Sequence, residues 1–265
     1  MRNSVLLEEL SWPEVDEALG AGMRTVVIVT ASMEQHGPHL PMLTDTAIGH
    51  AVGERVARLL GNALMAPVIR PGCSDHHLGF PGSLSLPAEV FIATVVAYVR
   101  SLAPHGFDTF VLFSSHGGNF VPLEAAAARL REEFEAHGVR IVAFAGLEAL
   151  DEMMRVMVGV AAAMGAPQDV DAIHADATET SVMMARHPHL VATGRLEAGF
   201  LGKIEAAEIF RRGFRAITPN GVFGDPRRAS PAIGEAVIER LAEHIAGHVR
   251  RRLADAEAAD RGGAG

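Results

Sequence analysis

The stretch T-V-V-I-V-T-A-S-M-E-Q-H-G-P-H-L-P-M-L-T-D, residues 25 to 45, decides the fold. Its first six residues, Thr25 to Thr30, form an apolar, β-branched run with the length and composition of a buried strand. Gly37, Pro38 and Pro41 forbid a regular helix directly behind it. That segment carries Glu34, His36, His39 and Asp45. Side chains of an extended chain alternate with period two, so Glu34 and His36 project to the same side. Asp45 can fold back toward them once Pro41 has turned the chain. Carboxylate oxygen and imidazole nitrogen together suit zinc or manganese. A polar loop with two exposed histidines is the plainer reading, but it needs no such density of ligand types.

Outward from this stretch, helices and strands alternate. Ser11 caps a helix, with Pro13 in its first turn and Glu14 at the capping-box position, running to about Gly20. Thr46 to Leu60 places Ala47, Ile48, Val52, Val56 and Leu60 at helical spacing, and Gly61-Asn62 closes it. Leu64 to Ile69 reads as a strand that Pro67 interrupts, marking an edge or a bulge. A long loop from Pro71 to Leu86 carries Asp75, His76 and His77, and a helix begins at Pro87. The third strand, Thr109 to Ser114, leads directly into S-H-G-G-N, residues 115 to 119. A helix over Pro122 to His137 and a strand over Arg140 to Ala145 follow. Asp151 to Met164 reads as a helix whose methionines suit packing against core or a sister subunit better than an apolar ligand. Gly194 to Gly213 has too few apolar positions to assign, and Ser230-Pro231 opens a terminal helix through Leu253. The pattern implies an α/β fold with a mostly parallel sheet covered on both faces. We expect one domain over residues 1–253 and a flexible tail over 254–265.

Composition narrows the function. The formal net charge of -9, with 23 scattered Lys and Arg, argues against nucleic acid as partner. One cysteine, Cys73, excludes an internal disulfide or a multi-cysteine metal site and fits a reducing cytoplasm. The first ten residues turn acidic after three apolar ones and do not read as a signal peptide, and no apolar run approaches the roughly 20 residues of a membrane helix.

Glu34, His36, His116 and the 71–86 loop all follow strands, so they should share the crevice beyond the strands' carboxyl ends. Gly117 and Gly118 let the chain turn beside a ligand, and Asn119 can orient a water or a substrate carbonyl. Glu179, with His174 five residues before it, completes the set of candidates. Glu34, His36, Asp45, His116 and Glu179 are too many for one tetrahedral ion. Two divalent ions roughly 3.5–4 Å apart, bridged by Asp45, would use all five and activate a water between them. No G-x-S-x-G elbow, H-E-x-x-H, Walker loop or dinucleotide fingerprint competes with that reading.

The motifs E-Q-H-G-P-H-L-P with T-D behind, F-P-G-S-L-S-L, S-H-G-G-N, H-A-x-x-x-E-T-S and G-V-x-G-D-P together resemble the creatininase family, from about residue 7 to about 250. The resemblance implies a three-layer, creatininase-like α/β/α fold. It also implies a hydrolase of cyclic or linear amides, with two zinc, manganese or iron ions, often a hexamer. Carried over by motif, Glu34, His36, Asp45 and His116 are metal ligands, while His174 and Glu179 belong to the active site.

Two departures point away from creatinine as substrate. Creatininase proper has a glutamate ligand where this chain has Gly118, and in H-G-G-N branches the E-T-S glutamate, here Glu179, is similar to a replacement. Its tryptophan before the H-A motif is here Ile173. The expected arrangement is therefore Glu34 and His116 on one ion, His36 and Glu179 on the other, and Asp45 between. His174 would stand over the attacked carbonyl. The substrate expected is a small molecule or short peptide amide, as in the mycofactocin-system peptidase branch. The rivals are creatinine hydrolysis proper, a noncatalytic metal-binding scaffold, and a phosphate-ester hydrolase using Arg227-Arg228.

Overall fold

A computed structural model describes residues 4–167 and 173–263. Four strands, β1 (Thr25–Thr30), β2 (Ala63–Met65), β3 (Thr109–Ser114) and β4 (Arg140–Phe144), form one sheet in the order β2-β1-β3-β4. All three pairings are parallel, with Thr25 opposite Ala63 and Thr109, and Thr109 opposite Arg140. Every residue of β1 and β3 is buried, as continuous apolar runs in a doubly covered sheet should be.

Helices α1 (Trp12–Gly20), α3 (Ala88–Leu102) and α4 (Phe120–Phe134) cover one face, packing on Val26, Ile28, Phe110 and Leu112. Helices α2 (Thr44–Leu60), α5 (Gly146–Ala163), α6 (Ala177–Arg186) and α9 (Pro231–Gly263) cover the other, against Val27, Val29, Val111 and Phe113. The fold is a three-layer α/β/α sandwich. Two short helices, α7 (Ala206–Arg212) and α8 (Phe214–Ile217), lie in the stretch that sequence left unassigned.

Three boundaries differ from expectation for identifiable reasons. β2 is regular only over Ala63–Met65, because Pro67 breaks the ladder before Ile69 rejoins β1 through a bridge to Thr30. α2 starts at Thr44, so Asp45 lies in the first turn of a helix, where a carboxylate meets unpaired backbone N–H groups. α9 runs on through Gly263, so residues 254–263, expected to be a tail, continue a helix. The last two residues of that tail lie outside the described residues.

Candidate active site

Glu34 and His36 leave the carboxyl end of β1 in a loop that Gly37 turns with φ 65°. His116 follows β3 directly. Asp45 returns on α2, and Asp176 caps α6 by accepting from the Thr178 and Glu179 amides, which fixes Glu179 in its first turn. All five side chains are buried and converge.

Two donor sets share Asp45. Glu34, Asp45 and His116 form one and His36, Asp45 and Glu179 the other, each with ligand atoms within 4.8 Å of one another. His116 Nδ1 lies 3.2 Å from both Glu34 Oε1 and Asp45 Oδ2. His36 Nε2 is 3.1 Å from Asp45 Oδ1 and 3.7 Å from Glu179 Oε2. A third set, Glu34, His36 and His174, overlaps these.

The ring orientations are fixed from outside. His116 donates from Nε2 to the Cys73 carbonyl at 3.0 Å, which turns the Nδ1 lone pair toward the carboxylates. His36 donates from Nδ1 to the Glu34 carbonyl at 3.2 Å, which frees Nε2. Ser32 Oγ donates to Asp45 Oδ2 at 2.6 Å. This is how proteins orient metal-ligating side chains. Glu34 Oε2 is buried with no partner among the described residues, a cost that a cation would remove. The residues therefore fit a pair of divalent ions.

Charge follows the same pattern. Burial disfavours a charged His36, yet Asp45, with Glu179 and Glu34 beside it, outweighs burial and lifts the ring to about 10. Burial likewise opposes charge on His116, but Glu34 and Asp45 raise it well above its ordinary value. Asp45 is held well below the usual carboxylate range, against its burial, by His36 and His116. Burial pushes Glu179 up to about 8.

His174 donates from Nε2 to the Gln35 carbonyl at 2.7 Å, leaving Nδ1 turned toward Glu34 Oε1 at 3.9 Å. Burial keeps this ring neutral by lowering its pKa. Ala175, beside it, holds φ 53°, a strained value for a residue with a side chain, and its N–H donates to Glu179 Oε2 at 2.6 Å.

One expectation is corrected. Asn119 does not face the site. Its amide is fully buried, donating to the Ala31 carbonyl at 3.0 Å and accepting from the Cys73 N–H at 2.9 Å. It ties three loops together and does not line the cavity. His39 also turns away, toward Thr180 Oγ1 at 2.9 Å, and Asp75 is exposed. Arg227 is held by Asp225 and Arg228 reaches the Gly165 carbonyl, so neither offers a phosphate cradle at the site.

Sequence reasoning missed His77 and Gln35 as supports. Gln35 Nε2 lies 3.1 Å from His77 Nδ1 and His77 Nε2 is 3.3 Å from Glu34 Oε1, a relay that orients the ligand carboxylate. The only sequence signal was His77's place in a glycine-bounded loop. A cavity of about 140 Å³ opens over the site. Its wall includes Met153, Met154 and Met157 from α5, together with Ile173, Phe210 and Phe214. Met153 and Met157 also pack in the core beneath α5, as expected, so the methionine face both fills the core and lines the cavity.

The structure is thus a parallel α/β/α sandwich with carboxylates and imidazoles clustered at its strand ends, able to hold divalent metal. The family model described as "Creatininase: Creatinine amidohydrolase" matches residues 8–249. The chain belongs to the creatininase family, and the relatives named as a peptide peptidase and a creatinine amidohydrolase are hydrolases of carbon–nitrogen bonds. It is 34% identical to a mycofactocin precursor peptide peptidase of Mycobacterium ulcerans, covering 86% of this chain and 85% of that protein. Against the creatinine amidohydrolase of Pseudomonas putida identity is 27%, over 96% and 99% of the two chains. A solved structure described as "Creatininase Mn" superimposes with a TM-score of 0.77 at 26% identity, covering 94% of this chain and 99% of that one.

Proposed function

We propose that this chain is a metal-dependent amidohydrolase that cuts the C–N amide bond of a short peptide. The observation that carries the reading is the pair of donor sets sharing Asp45, with each imidazole N–H tied outward and Glu34 Oε2 left without a partner among the described residues. Glu34 and His116 would hold one divalent ion, His36 and Glu179 the other, and Asp45 would bridge them. Zinc, manganese and iron all suit these donors. The chemistry supplied by such a pair, when bound, is Lewis acidity toward the carbonyl and a water of lowered pKa.

The protein's own groups supply the rest. An amide nitrogen leaves poorly unless it is protonated. His174, neutral and with Nδ1 open toward the carboxylates, can take a proton and pass it to the departing nitrogen. The apolar wall excludes water and gives room to an uncharged side chain. Peptide is favoured over creatinine because identity to the peptidase exceeds identity to the creatinine enzyme, and because Ile173 stands at the cavity wall. The only tryptophan, Trp12, is exposed on α1 and does not line the cavity. We also propose that it works in the cytoplasm as a homo-oligomer, a hexamer. No helix among the described residues is long and apolar enough to cross a membrane.

The test is metal analysis of purified protein together with turnover on creatinine, formamides, lactams and short peptides. Two ions per chain and metal-dependent cleavage of a peptide amide are expected. Two retained ions with no turnover of any amide would make it a metal-binding scaffold.

A further inference from the structure

The proposed chemistry leaves one buried cavity group unused, the imidazole of His76. It is only 8% exposed and lines the cavity in the 3₁₀ turn Asp75–His77. Its ring stacks on His116 with centroids 5.8 Å apart and an interplanar angle of 12°. Phe210 and Phe214 close the other sides at 4.7 and 5.7 Å.

Its nitrogens differ. Nδ1 is sealed from solvent and has no partner among the described residues. Nε2 makes no hydrogen bond there either, yet is not among the sealed atoms, so it is the nitrogen that meets the cavity. An orphaned buried N–H is rarer than an unused acceptor, which assigns the proton to Nε2 and the lone pair to Nδ1. Gly118 makes the placement possible, since a Cβ there would lie 3.0 Å from His76 Cε1 and 2.1 Å from the Cys73 carbonyl. The ring and its loop therefore crowd the space a side chain at 118 would need.

We propose that His76 is a substrate-binding residue whose Nε2–H donates to an uncharged carbonyl oxygen on the acyl side of the bond that is cut. This rests on the amidohydrolase reading. His174, the proton donor to the leaving nitrogen, packs tilted against His36 with centroids 4.2 Å apart, so the acyl half runs the other way, toward His116 and the His76 ring stacked on it. No lysine or arginine lines the cavity among the described residues, so a neutral carbonyl fits better than a carboxylate. The ligand class is an acylated, apolar amino-acid amide.

Two hydroxamates test this on zinc-loaded protein by calorimetry: N-acetyl-leucine hydroxamate and its all-carbon counterpart, 2-isobutylpentanohydroxamate. The ratio of their affinities should shift against the acetylated compound by roughly tenfold in His76→Phe, the scale of one buried hydrogen bond. His76→Gln keeps a donor and should preserve the ratio, and His76→Leu serves as second variant if the phenylalanine ring does not pack. Metal content should stay unchanged in all three. An unchanged ratio in the Phe and Leu variants overturns the proposal, as does metal loss, which would make the ring a mere support for His116. Failure of both hydroxamates to bind wild type would instead overturn the metal centre itself, and this inference with it.

Discussion

Replacing Glu179 by glutamine tests the centre most directly, because it changes charge and almost nothing else. The Ala175 N–H donates to Glu179 Oε2 at 2.6 Å, and a glutamine carbonyl can accept the same bond. In metal-free protein the carboxyl titrates near 8 because it is buried, against 4.5 for its ordinary value. A carboxyl with a raised folded pKa costs stability that grows as pH rises from the unfolded value to the folded one. At pH 7 that cost comes to about 3 kcal/mol. Metal-free Glu179→Gln should therefore melt several degrees above metal-free wild type at pH 7, with the gap closing below pH 4.5. Metal reverses the sign. Wild type should hold two ions after dialysis and the variant one, with turnover of the best amide substrate lower by at least about a hundredfold, or ~2.7 kcal/mol. The assays are elemental analysis, calorimetric melting with and without metal, and steady-state kinetics. Two ions retained by the variant would refute the ligand assignment even if activity fell.

His174→Ala should keep both ions and lose turnover, and loss of an ion would make His174 a ligand of the third donor set instead. Metal uptake should displace the proton from His36, whose ring titrates near 10, so affinity should climb by up to about tenfold per pH unit between pH 8 and 10, and more steeply below pH 8, where the Glu179 carboxyl must lose its proton too. Uptake at pH 8 in weak buffer without acidification would contradict this. Gly118→Glu should not restore an ion lost in Glu179→Gln, since its Cβ would meet the Cys73 carbonyl at 2.1 Å. It should also lower the melting temperature by an overpacking cost of about 1–3 kcal/mol, and restored stoichiometry would refute the crowding argument. Gel filtration should give an assembly, with Leu147, Phe210 and Val121 among the exposed apolar residues available to it. A clean monomer would count against the oligomer.

The strands were legible because burial on both faces demands a uniform chemistry. Thr25–Thr30 and Thr109–Ser114 are strands over the residues expected, and Pro67 ends β2 for the reason its ring dictates. The grouping of Glu34, His36, Asp45, His116 and Glu179 was also readable. Strand order places successive strand ends at one crevice, and carboxylates beside imidazoles are costly there without a shared purpose. Asn119 misled because a polar side chain after H-G-G reads the same whether it faces the cavity or the loops behind it.

Sequence alone determined the alternation of strand and helix, the parallel sheet and the candidate ligand types, since each depends on neighbours a few residues apart. Only the tertiary structure decided where side chains from distant segments point. It turned the methionines of α5 toward the cavity and seated His77 against Glu34 across 43 positions of chain, the difference of their residue numbers. It also filled the space at Gly118 with the Cys73 carbonyl and the His76 ring. Such contacts are set by packing between segments whose separation along the chain carries no local periodicity, so no reading of spacing could supply them.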